Sequence, residues 1–285
     1  MCKVGLVLSG GMAKGAYQIG ALKAINEYFS FDDIAYISSS SIGVLNAYAF
    51  TANKLKLIED TWRDVCFEGT SKLITSVCKS AFLQYSIKNL ADATDHISPY
   101  FYTTLYDLKT NTLSYSNLSE ARVEDRTLYL KASVAMPFYS KAIKIGENAF
   151  LDGAIIDNIP VYPLQNHPID YLICIYFDEC NYIFENENLN KKIIKLIFSD
   201  KSIIKNSIYM DKKSIDYMIE NGYCQTKEIL ETIFSRGTED LEYIYRKIAL
   251  YNQFHANSKL RISGDMLISN CNRVAKKLLK RKIIK

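Results

Sequence analysis

The chain has 285 residues, 48% of them apolar and 23% charged, with a net charge of +4. That length and balance provide for a large buried core and exclude a disordered, fibrous or collagen-like polymer. The positive charge is local, because seven cations and no acid fall in residues 271–285 and the rest of the chain carries −3.

Cysteine usage and the N-terminus point to the same compartment. The seven cysteines, Cys2, Cys66, Cys78, Cys174, Cys180, Cys224 and Cys271, are odd in number, scattered and never spaced C-x-x-C. This argues against a disulfide framework and against a zinc site, and it suits a reducing cytoplasm. Lys3 leads directly into the strand-like Val4-Gly5-Leu6-Val7-Leu8, with no signal-peptide pattern. Residues 34–53 are twenty positions without a charge, but seven of them are Ser, Thr or Asn, several in mid-segment. They read as a buried strand, turn and helix and not as a membrane span.

In chain order, residues 3–8 form a strand ending at the glycine loop Ser9-Gly10-Gly11-Met12-Ala13-Lys14-Gly15, and Ile19, Leu22, Ile25 and Phe29 then recur at helical spacing. Residues 34–37 form a second strand, followed by Ser38-Ser39-Ser40-Ser41 and a helix from Val44 to about Thr51. Two successive βα units predict right-handed parallel pairing in an α/β sheet. Leu55, Ile58, Trp62 and Val65 mark an amphipathic helix over 54–65, and residues 66–98 read as irregular helical insertions. Residues 101–108 and 113–115 flank a hairpin turn at 109–112. A short helix over 128–135 stops before Pro137, a second hairpin spans 142–151, and the apolar run 171–177 has the composition of a central parallel strand. From residue 181 onward long helical periods take over, with Ile215, Met218, Ile219, Gly222, Thr226, Ile229 and Ile233 on one face and Leu241, Ile244 and Ala249 continuing the pattern. The expected organisation is an α/β unit over 1–180 and a helical C-terminal region over 181–285 ending in the basic tail.

The serine turn is where chemistry is expected. In a nucleophile elbow, G-x-S-x-G, the residues two before and two after the serine are small because the turn is tight. Ser41 fits, with Ser39 before it and Gly43 after it, whereas Ser40 would place Ile42 in the crowded position and Ser39 would place Ile37 there. A serine attacks a carbonyl only with a base to take its proton and fixed donors for the oxyanion. The backbone amides of Gly10, Gly11 and Met12, between a strand and a helix N-terminus, are candidate donors. The three histidines lack a local setting for catalysis: His96 lies in the irregular insertion, His167 precedes Pro168 in a loop, and His255 is in the helical tail.

Four stretches in register carry a family resemblance. They are residues 9–20, the serine turn continuing into Val44-Leu45-Asn46-Ala47, Ala132-Ser133-Val134-Ala135-Met136-Pro137-Phe138, and Asp152-Gly153-Ala154 followed by Asn158-Ile159-Pro160-Val161. Over about residues 3–180 the chain resembles the patatin-like phospholipases. The resemblance implies a three-layer α/β/α sandwich with a mostly parallel central sheet, and hydrolysis of lipid acyl esters by a Ser-Asp dyad without metal or cofactor. It implies Ser41 as nucleophile, Asp152 as base, and the amides of Gly10, Gly11 and Met12 as the oxyanion hole. Two positions depart from the family pattern: Met12 stands where a third loop glycine is usual, and Ser39 replaces the first glycine of the elbow.

The expected partner is a lipid or phospholipid substrate. The aromatic run Tyr100-Phe101-Tyr102 and the insertion 66–98 are candidates for the rim of an acyl cleft. The tail, which mixes Val274, Leu278, Leu279, Ile283 and Ile284 with its cations, is a candidate for peripheral contact with anionic lipid. Two other functions compete. A nucleotide-binding loop fails, because G-x-x-x-x-G-K-[ST] would need Lys-Ser or Lys-Thr after Gly15 where Ala16-Tyr17 stands, and no nucleic-acid partner is expected. A catalytically silent relative that binds lipid or acts as a scaffold is the second.

Overall fold

The computed structural model describes residues 2–64, 81–92, 95–137, 139–178, 180–184, 186–199, 212–253 and 258–261. β1 (Val4–Leu8) is buried along its whole length, as a strand covered on both faces must be. It passes through a 3-10 turn, Met12–Lys14, into α1 (Gly15–Ile25). β2 (Tyr36–Ser39) runs directly into α2 (Ile42–Thr51), completing the second expected βα unit. After α3 (Leu55–Asp64) and α4 (Ala81–Leu90) come the hairpin of β3 (Tyr100–Asp107) and β4 (Thr112–Asn117), then α5 (Val123–Ser133). A second hairpin, β5 (Ile143–Ile145) and β6 (Asn148–Asp152), ends in a 3-10 turn at Gly153–Ile155. The chain continues through β7 (Tyr171–Tyr176), β8 (Asn181–Phe184), α6 (Glu187–Asn190), β9 (Ile193–Ile197), α7 (Lys212–Ile233), α8 (Leu241–Gln253) and β10 (Ser258–Arg261).

The main sheet is mixed. β3, β2, β1, β7 and β9 lie parallel in that spatial order, and β4, β5 and β6 add antiparallel pairs beside β3. One face carries α1, α2, α3, α4 and α7 over a core that includes Leu6, Leu8, Ile37, Phe101, Ile173 and Ile175. The other face, with Val7, Leu172, Cys174 and Tyr176, is covered by Ile159 and Val161 from an irregular loop, Leu164 from a short 3-10 turn and Leu189 from the four-residue α6. The three layers are therefore unequal, with the long helices on one side.

The register decides where a site forms. Leu8 of β1 lies opposite Ser39 of β2, so the glycine loop and the serine turn leave the sheet side by side. Thr103 of β3 lies opposite Ser39, and Asp152 of β6 pairs with Leu105, two residues further along. All three segments thus meet at the carboxyl ends of the parallel strands, where α/β sheets bind their ligands.

Beyond residue 180 the helical texture is realised in α7 and α8, but β8, β9 and β10 interrupt it. β9 joins the main sheet by pairing with β7, and its short run Ile193–Ile197 is indistinguishable from a helix fragment by periodicity alone. In α7 Leu230 is buried beside the expected Ile229, which is half-buried against the same core, and in α8 Ile248 faces inward and Ala249 outward, a one-residue shift of the stripe. α7 packs on α1 through facing glycines: a Cβ on Gly20 would strike the carbonyl of Ile219, and one on Gly222 the carbonyl of Tyr17. The insertion at 65–80, Phe138, His255 and the basic tail 271–285 lie outside the described residues.

Candidate active site

Ser41 occupies the sharp turn between β2 and α2 with φ 51° and ψ −131°, a left-handed conformation that L residues adopt only when the surroundings hold them there. Gly43 shows why the turn needs a small residue two places on, since a Cβ there would lie 2.7 Å from the carbonyl oxygens of both Leu8 and Ser9. The neighbouring serines are placed differently. Ser38 and Ser39 are wholly buried, with hydroxyls that meet no partner among the described residues. The Ser40 hydroxyl is held at 2.6 Å from Thr104 Oγ1 and donates to the Asp157 carbonyl at 3.2 Å. Ser41 alone of the four is partly exposed.

Asp152 ends β6, its backbone N–H bonded to the Ala135 carbonyl at 2.9 Å. Its carboxylate caps the following 3-10 turn by accepting from the Ala154 N–H at 2.9 Å and lies within hydrogen-bonding reach of Ser41. Burial pushes the carboxyl up to about 7, and the bonds from Ser41 and Ala154 only partly oppose that rise. No cation pairs with it among the described residues. A second buried acid, Asp157, is occupied differently: its carboxylate accepts from the Tyr115 hydroxyl at 2.8 Å and from the Ile159 N–H at 3.3 Å.

The glycine loop closes the third side. A Cβ on Gly10 would lie 2.8 Å from the Cβ of Ser41, which places the loop backbone directly against the turn. The Gly10 N–H donates to the Asn158 carbonyl at 3.3 Å, and Asn158 Nδ2 donates back to the Gly10 carbonyl at 3.2 Å. Gly10 therefore contributes close approach, while the N–H groups of Gly11 and Met12 have no acceptor among the described residues. In a trans peptide the C=O and N–H point in opposite directions, so fixing the Gly10 carbonyl also fixes the direction of the Gly11 N–H. Met12 takes φ 52°, the left-handed conformation that a glycine at this place would adopt without cost.

Sequence reasoning thus named Ser41, Asp152 and the loop, and the structure brings these residues together. The histidines lie elsewhere. His96 is exposed, and His167 sits among Tyr36, Tyr100 and Tyr102, its Nε2 3.1 Å from the Tyr102 hydroxyl, with burial lowering its pKa. That cluster gathers where β2 and β3 begin, at the opposite end of the sheet from Ser41. Tyr100, Phe101 and Tyr102 therefore do not rim the site: Tyr100 stacks on Tyr36 and Phe101 is core. Strand direction decides this, and it is not visible in a run of aromatics. The roles of Asn158 and of the buried amides Gln18 and Asn46 were missed. A signal existed, because each of those amides stands alone among the apolar and small residues around it. Among the described residues no group of three or more His, Cys, Asp or Glu side chains converges, and no helix is long and apolar enough to cross a membrane.

Comparison with known proteins adds a family assignment. The sequence model of the patatin-like phospholipases matches residues 6–164. Two relatives named lysophospholipase NTE1, from two strains of Cryptococcus neoformans var. neoformans serotype D, are each 26% identical over 183 residues. Those matches cover 61% of this chain but only 11% of the relatives' own length. Among solved structures, the type III effector protein ExoU aligns over 79% of this chain and 53% of its own, at 15% identity and a TM-score of 0.35. The heterodimeric complex ExoU-SpcU of Pseudomonas aeruginosa aligns over 88% and 57%, at 14% identity and a TM-score of 0.28. Superpositions that loose carry no weight, and the fold rests on the strand order and register above.

Proposed function

Because this chain belongs to the patatin-like phospholipase family, we propose that it is a serine hydrolase that cleaves acyl esters of lipids through Ser41 and Asp152. The observation that carries the reading is the meeting of three unusual features at one point: a serine held at positive φ, and, among the described residues, a buried carboxyl that no cation pairs with and two backbone N–H groups that meet no acceptor.

In the proposed reaction Ser41 Oγ attacks the ester carbonyl while its proton passes to the Asp152 carboxylate, and the Gly11 and Met12 amides receive the developing oxyanion. Collapse of the tetrahedral species expels the alcohol, which takes the proton from Asp152 and leaves an acyl-serine. Water, activated by the same carboxylate, releases the fatty acid and restores both groups. An ordinary aspartate is a weak base for a hydroxyl. The elevated pKa brings Asp152 close to the value at which a general base works best near neutral pH. Ile155, exposed at the end of the turn that Asp152 caps, offers an apolar contact for a lipid beside the reacting groups. The reading includes a reducing cytoplasmic setting and peripheral contact with anionic lipid through the tail 271–285.

The test compares release of fatty acid from lysophospholipid, phospholipid and monoacylglycerol by the wild type and by Ser41→Ala, together with labelling by a fluorophosphonate. Hydrolysis and labelling that vanish in Ser41→Ala support the enzyme. A folded wild type that binds lipid vesicles but is neither labelled nor active is a binding protein, and the hydrolase reading then fails.

A further inference from the structure

A line of hydrogen bonds runs through the helical layer to the glycine loop. Trp62 Nε1 on α3 donates to Asn46 Oδ1 on α2 at 3.1 Å. Asn46 Nδ2 donates to Gln18 Oε1 on α1 at 2.8 Å and to the Gly15 carbonyl at 2.9 Å. Gln18 Nε2 then donates to the Ser9 carbonyl at 2.7 Å. All three side chains are buried, and two amides in otherwise apolar surroundings are costly unless they are satisfied.

The line has a direction, set by the tryptophan N–H at one end and by the Gly15 and Ser9 carbonyls that the two amides meet. An indole N–H only donates, so Asn46 must turn its oxygen toward Trp62 and its nitrogen toward Gln18. Gln18 must then present its oxygen to Asn46 and its nitrogen to Ser9. Reversing either amide would set two acceptors or two donors against each other in a dry interior, where the penalty is large. The Ser9–Gly10 peptide is consequently gripped on both sides, its carbonyl by Gln18 and its N–H by the Asn158 carbonyl. The next carbonyl, that of Gly10, is held by Asn158 Nδ2. Two successive peptide planes are thus fixed, and the second carries the Gly11 N–H, which like that of Met12 meets no acceptor among the described residues.

We propose that Gln18, Asn46 and Trp62 are positioning residues that hold the glycine loop in register with Ser41, with Trp62 anchoring the far end of the line. Asn46 belongs to the helix that Ser41 opens, so the line ties the oxyanion donors to the nucleophile across two helices. The inference rests on the hydrolase reading above. Oxyanion stabilisation acts on the transition state and not on bound substrate, so loosening the loop lowers kcat and spares KM.

The experiment measures kcat and KM on a soluble fatty-acyl ester, with thermal unfolding in parallel, for Gln18→Met, Trp62→Phe and the double variant. Gln18→Met keeps the length of the side chain and removes the donor to Ser9. It is expected to lower kcat by about 10- to 100-fold with KM unchanged. Trp62→Phe keeps an aromatic core residue but removes the N–H together with part of the buried indole, a packing loss that the unfolding measurement reads separately, and a loss in kcat of about threefold to tenfold is expected. The double variant is expected to be no worse than Gln18→Met, because both changes act through one line. Trp62→Phe carries the test by itself should Gln18→Met not fold. The inference is overturned if folded variants keep kcat within about twofold of wild type, if the loss appears in KM, or if the two effects multiply. A folded wild type that is inactive and unlabelled overturns the hydrolase reading and this inference together, whereas an active wild type with indifferent variants overturns this inference alone.

Discussion

Two buried ionisable groups stand on either side of residue 180, and their surroundings differ in one respect that matters. Asp152, at the carboxyl ends of the parallel strands, is pushed up to about 7 by burial; Lys195, in the edge strand β9, is pushed down to about 8 by burial. Neither has a partner of opposite charge among the described residues. The Lys195 ammonium bonds Asn181 Oδ1 at 2.8 Å, and Cys174, opposite it on β7, is buried as well. Asp152 has the hydroxyl of the partly exposed Ser41 within reach and, nearby, backbone donors that meet no acceptor among the described residues. Burial alone therefore makes a perturbed pKa, and a site also requires a reacting group and access for the substrate.

The largest effect expected from this contrast is on catalysis. Asp152→Asn should reduce ester hydrolysis by at least about 10³-fold with the fold retained, while Lys195→Met leaves kcat within about twofold. Steady-state rates for the two variants at pH 8 check this, and a comparable loss in both would erase the distinction.

The pH profile sharpens it further. With the base titrating at about 7, kcat/KM should fall about tenfold per pH unit on the acid side of that value and level off above it. A profile flat down to pH 5 would remove Asp152 from the role of base.

Stability should respond to the two groups with opposite slopes. The folded state holds the Asp152 proton more tightly than the unfolded chain, so this group favours folding at low pH, and that contribution is lost as pH rises from about 4 to about 7. The folded state holds the Lys195 proton less tightly, so its penalty is complete below about 8 and disappears as pH rises toward about 10.5. Lys195→Met should accordingly stabilise the protein by about 1–3 kcal/mol at pH 7, with an advantage that shrinks above pH 8, as read by denaturant unfolding.

The smallest effect concerns the strained turn. Ser41→Gly should abolish hydrolysis yet raise stability by about 1 kcal/mol, since glycine accepts the positive φ and recovers more than its extra chain entropy costs. Unfolding in urea measures it, and a loss of stability would mean that Ser41 is not strained.

Much of this protein is determined by short stretches acting locally. The two opening βα units, both hairpins and the strand at 171–176 follow from alternation, helical spacing and glycine placement within windows of a dozen residues. Ser41 stood out among four serines because crowding at a tight turn is also local, and Gly43 against the Leu8 and Ser9 carbonyls is its physical form. Only the tertiary structure decided the rest. Whether β9 is strand or helix depended on a partner, β7, lying before it in the sheet, and strand direction carried Tyr100 and Tyr102 to the end away from the site. The burial that raises Asp152, the loss of the Gly10 N–H to Asn158, and the line from Trp62 to Ser9 all join residues far apart in the chain. Desolvation and hydrogen-bond direction are properties of an enclosed volume, and a sequence specifies that volume only after its elements have packed.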